Sequence, residues 1–71
     1  MAEIGNADRV ALMERLAEMK QQHRDLDSAI AHLVIDPLHD QLLVTRLKRR
    51  KLLLKDNIAR IEREIDPDVL A

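Results

Sequence analysis

The 71-residue chain contains no phenylalanine, tyrosine or tryptophan. Aromatic stacking on nucleic-acid bases is therefore excluded, and with it the usual chemistry of single-strand recognition. Cysteine is also absent, which removes disulfides and thiolate metal sites and gives no reason to expect an oxidising compartment. A single glycine rules out glycine-rich phosphate loops and hairpin sheets built on glycine turns. Charge of one sign is lacking too: 12 Lys and Arg stand against 13 Asp and Glu, a formal net charge of −1. No whole-molecule field draws the protein to a polyanion, so any electrostatic role has to be local. The densest apolar stretch, Ala29 to Ile35, is interrupted by His32 and falls far short of the roughly 18 residues of a membrane span. The opening Met-Ala-Glu-Ile-Gly-Asn has neither a basic nor an apolar region, so no signal peptide is expected and a cytoplasmic location is.

What remains is 46% hydrophobic and 35% charged, too apolar for a disordered chain and suited to amphipathic helices. Both prolines follow aspartate, at Asp36-Pro37 and Asp66-Pro67. Proline disfavours helical geometry in the residue before it, so each pair marks a boundary. Aspartate followed by proline also suits the cap and first turn of a new helix, which makes Asp36 the expected cap of a second helix. Asn6 or Asp8 is the expected cap of the first. The chain thus reads as one helical-hairpin domain over residues 1–71, with helices at about 7–34 and 37–65 and frayed tails at 1–6 and 67–71.

The apolar spacing agrees. Leu12, Leu16, Met19, His23, Leu26, Ile30 and Leu33 step by alternating fours and threes, as do Val44, Leu47, Lys51, Leu54, Ile58, Ile61 and Ile65. These are heptad seams, each with one polar member. Folding the chain antiparallel sets Leu33 and Ile30 against Val44, Leu26 against Leu47, Met19 against Leu54, Leu16 against Ile58 and Leu12 against Ile61. The paired numbers add to 73 or 74 down most of the seam. In that register His23 lies opposite Lys51, so both polar exceptions share one layer. Asp27 is expected beside Lys48, Lys20 against the like charge of Lys55, and Asp56–Arg60 and Arg60–Glu64 as pairs one helical turn apart.

The seam is a thin core for a chain of this size. Val10, Met13, Val34, Ile35, Leu38, Leu42, Leu43, Leu52 and Leu53 are left outside it, several of them around the turn. Self-association is therefore expected, most simply a homodimer of hairpins packed as a four-helix bundle. No metal or cofactor is expected: His23, His32 and His39 are spaced by 9 and 7 residues, so no two stand one turn apart. Nor is an enzyme expected, since Ser28 and Thr45 are the lone hydroxyl residues and neither has a histidine and an acid arranged around it.

The most charged segment is Arg46, Lys48, Arg49, Arg50, Lys51 and Lys55, six cations in ten residues with no acid among them. With Leu52 and Leu53, the five other than Lys51 form a candidate interaction face on the second helix: Arg46, Lys48, Arg49, Arg50 and Lys55. It reads first as a solvated or protein-binding face, partly neutralised by Asp25 and Asp27 across the hairpin. Phosphate contact with nucleic acid is the rival reading, and an amphipathic membrane surface the third. The polar layer of His23, Lys51 and Asp27 reads as a register-fixing device of the seam, with the lysine leaning its ammonium out to solvent. An unknown protein partner fits either feature.

Two stretches carry a resemblance. LKRRKLLLKDNI, Leu47 to Ile58, is similar to the LKKxKLxLKDEI signature of the YdcH-like family, small bacterial proteins grouped as a domain of unknown function. HRDLDSAIAHL, His23 to Leu33, resembles the EHxxLDxxIxxL element of that family. His23, Leu26, Asp27, Ile30, Leu47, Lys48, Lys51, Leu52, Leu54, Lys55, Asp56 and Ile58 match one by one. Gln22 and Asn57 depart, each standing where the family tends to carry glutamate. The resemblance implies a helical hairpin and makes His23 and Lys51 part of a shared pattern; it brings no activity. The sequence thus predicts a non-catalytic interaction or structural module, with a nucleic-acid-associated protein as the alternative.

Overall fold

The structure, a computed structural model, describes residues 5–66. Two helices, α1 at Asn6–Ile35 and α2 at Gln41–Ile65, pack along one another as an all-α hairpin. The molecule is a rod of 51 × 21 × 16 Å with a radius of gyration of 15.8 Å. A compact sphere-like chain of this length would have a radius of gyration near 11 Å. Elongation follows from the pattern: one stripe per helix is apolar, so two rods side by side cover what can be covered.

The register of burial matches the heptads. Met19, Ile30 and Val44 are the buried apolar residues, and every other seam position is half-buried, His23 and Lys51 included. Outside the seam only His39, Ala59 and Glu62 are half-buried among the described residues. Ile30 and Val44 lie close to the turn, where the two helices are tied together.

The caps depart from expectation. Asp36 does not open α2. It is the C-terminal cap of α1, in the extended conformation that a following proline favours (ψ 120°). Its carboxylate accepts from Leu38 N–H at 2.9 Å and its carbonyl from His39 N–H at 3.0 Å, closing a tight turn. Asp40 caps α2 instead: its carboxylate accepts from Leu43 N–H at 3.0 Å. An Asp-Pro pair satisfies either side of a break, and here the backbone turns once more before the second helix begins. Pro37 therefore lies in the turn, and α2 starts at Gln41. At the other end Gly5 occupies the cap position of α1 without a side-chain hydrogen bond, and Asn6 is already helical rather than frayed. Asp8 sits in the first turn, where its charge complements the helix dipole. Helix α2 ends at Ile65, as expected, with Asp66 as its cap. The expected tails at 1–4 and 67–71 lie outside the described residues, and so does Pro67. Among the described residues no helix is long and apolar enough to cross a membrane.

Candidate interaction surface and polar layer

The polar layer sits midway along the hairpin. Lys51 Nζ donates to Asp27 Oδ1 at 2.5 Å, joining α2 to α1. The lysine stem lies in the seam while its ammonium emerges at the edge, where the more exposed carboxylate meets it. That hydrogen bond and the lysine charge hold the Asp27 carboxyl below the usual carboxylate range, with a smaller contribution of the same sign from His23. His23, one turn before Asp27 on the same helix, is half-buried, and its Nε2 is buried without a hydrogen-bond partner.

The expected pairing of Asp27 with Lys48 does not occur. Lys48 lies a full turn nearer the turn end of the seam edge and stays exposed, and the lysine within the seam takes the carboxylate. Lys20 does not face Lys55 alone: its Nζ is 3.6 Å from Glu62 Oε2, which relieves the like charge. Of the two expected pairs on α2, Arg60 takes Asp56 at 3.4 Å; no bridge joins it to Glu64. Asp25 neutralises nothing across the hairpin, because it accepts from Gln21 Nε2 at 2.9 Å on its own helix. Glu62 is the charged residue that sequence reasoning missed; its place beside Ile61 and one turn from Ile58 is the signal that puts it at the seam edge.

The remaining cations, Arg46, Lys48, Arg49, Arg50 and Lys55, are exposed, and none of them forms an ion pair among the described residues. Leu52 and Leu53 lie on the outward side with Arg46 and Arg49, 67% and 62% exposed. The whole set of apolar residues left outside the seam is exposed, Leu38 at the turn the most so at 90%. Shallow grooves run along the flanks of the hairpin, among them the two that follow. One, of about 320 Å³, has Leu12, Met19 and Ile61 in its lining and Arg15 and Glu64 beside them. The other, of about 380 Å³, is lined by His23, Ile58 and Ala59 with Lys20, Arg24 and Lys55 beside them.

No curated protein and no solved structure matches the chain. A family described as "Protein of unknown function (DUF465)" matches residues 16–62, a span that contains the polar layer, the turn and the cationic run. The likeness to YdcH-like proteins is consistent with that match. The chain belongs to the DUF465 family of small domains of unknown function.

Proposed function

We propose that the hairpin is a non-catalytic interaction or structural module that works by self-association, two copies packing as a four-helix bundle in the bacterial cytoplasm. The observation that carries this reading is that, among the described residues, nine large apolar side chains stand 38% to 90% exposed and only three apolar residues are buried. So much exposed apolar surface beside so small a core is what a second copy would cover. A second hairpin covers it with the same geometry that joins the first two helices. The polar layer then acts as the register key: one lysine, one carboxylate and one histidine tolerate one alignment of the seam better than its neighbours.

Sedimentation equilibrium across a hundredfold concentration range tests the reading. A mass rising towards twice the 8.2 kDa of the chain supports it, and a constant 8.2 kDa opposes it. The exposed cations of α2 support the second reading, contact with nucleic-acid phosphates. That reading requires binding to random duplex at low salt with a steep loss as salt rises. Absence of binding at low salt leaves the self-associating module.

A further inference from the structure

The two flanks of the hairpin differ in charge. On one, grooves carry Arg15 and Arg60 together with Glu14, Glu18 and Glu64, so acids and bases mix. On the other, the groove of about 380 Å³ carries Lys20, Arg24 and Lys55, with Glu62 as the one acid in its lining. That acid already lies 3.6 Å from Lys20. Arg24 donates to the uncharged side chain of Gln21 at 2.9 Å, and Lys55 forms no ion pair among the described residues. The groove therefore presents two cations that no acid answers. Its floor is apolar, since Ile58 and Ala59 lie half-buried between the helices.

The same side continues towards the open end of the hairpin. Val10, Met13, Ala17, Lys20 and Arg24 follow one another by steps of three and four, so they share one side of α1. Val10 and Met13 are 54% and 52% exposed. The stripe thus runs from two open apolar residues to two cations over about 21 Å, four helical turns. The other exposed large apolar residues gather at the turn and at the middle of α2, where they remain for a second copy. We propose that this flank is a docking groove for an acidic amphipathic helix of a partner protein, laid along the hairpin as a third helix. A helix with leucines at one end of its contact stripe and glutamates at the other fits both halves of the groove. A second copy fits it less well, because twofold pairing sets two unanswered cations on two more. A lipid surface is flat and leaves the recessed floor uncovered, and a duplex gains nothing from Val10 and Met13. The groove goes beyond the self-association reading and uses other residues, so either can fail alone.

The probe is a synthetic helix of about four turns with leucine and glutamate on one stripe and alanine elsewhere. Added to the isotope-labelled chain, it is expected to shift the backbone NMR signals of Met13, Lys20, Arg24, Lys55 and Ala59, and to do so less in high salt. Arg24→Glu combined with Lys55→Glu is expected to weaken binding by about tenfold. A peptide with lysine in place of glutamate is expected to prefer that double variant to the wild type. Both positions are exposed, and circular dichroism checks that the helices are kept. Absence of shifts, or shifts centred on the turn or on Leu52 and Leu53, overturns the groove, and so does binding that ignores the double reversal. The same signals moving on a rise in protein concentration alone assign the flank to a second copy and overturn it too. Movement caused by phosphatidylglycerol vesicles or random duplex, with none from the glutamate peptide, replaces the partner helix by a lipid or a nucleic acid. A wild-type chain that stays monomeric but binds the peptide here supports the groove and opposes self-association.

Discussion

Lys51 on α2 holds its ammonium 2.5 Å from the carboxylate of Asp27 on α1, a direct polar bridge between the helices at mid-length. The bridge makes stability depend on pH in a defined direction. The Asp27 carboxyl titrates lower in the folded chain than in the unfolded one. Its contribution is therefore complete above the unfolded value of about 4 and disappears as pH falls through the lower folded value. Asp27→Asn is expected to flatten the acid limb of a urea-midpoint profile relative to wild type. Superimposable limbs would show that the bridge adds nothing.

His23 beside that bridge carries a cost. Its Nε2 is buried and unpartnered, a situation worth roughly 1–3 kcal/mol against the fold. His23→Leu is expected to raise the melting temperature by at least about 5 °C for a domain of this size. It is also expected to broaden the oligomer distribution, since one polar key of the register is gone. Thermal melts followed by circular dichroism and sedimentation velocity read the two effects, and a lowered melting temperature would contradict the first.

The two aspartates of the turn differ in their work. Asp40 accepts the Leu43 amide at the start of α2, and Asp40→Ala is expected to cost about 1 kcal/mol. Asp36 accepts the Leu38 amide within the exposed turn, where water replaces the lost partner, so Asp36→Ala is expected to cost less. Urea titration of both variants orders them, and the reverse order would return the cap to Asp36.

Core and outer apolar residues separate folding from association. Ile30, 8% exposed, is expected to cost about 2–5 kcal/mol as Ile30→Ala, enough to unfold much of a hairpin this thin. Leu52→Ala removes an outward side chain and is expected to leave the monomer's helical signal in place while lowering the dimer fraction. Loss of helix on Leu52→Ala would place that residue in the fold rather than on a surface.

The seam was fully legible in the residues, because alternating steps of three and four over seven positions per helix leave one consistent face. The leftover apolar set was legible for the same reason: what the seam does not take is exposed. The caps were less so. Asp36-Pro37 satisfies a helix end and a helix start equally, and the difference lies in the extra turn through Leu38 and His39, which no spacing rule encodes. Charge pairing was legible in type and missed in partner. Lys51 rather than Lys48 finds Asp27 because a seam lysine extends sideways out of the layer, and heptad lettering records where a side chain starts, not where its flexible stem ends. The candidate interaction face was read from a cationic run with two leucines, and those side chains stand exposed.

The short connection from Asp36 to Asp40 has a bearing on how the chain finds its shape. Closing so small a loop loses little chain entropy, and each successive layer lies next to one already formed. Assembly is therefore expected to start at Ile30 and Val44 and to travel outward like a fastener, with Leu12 and Ile61 the last to engage. Amide protection against deuterium should grade from high near the bend to low at the open mouth.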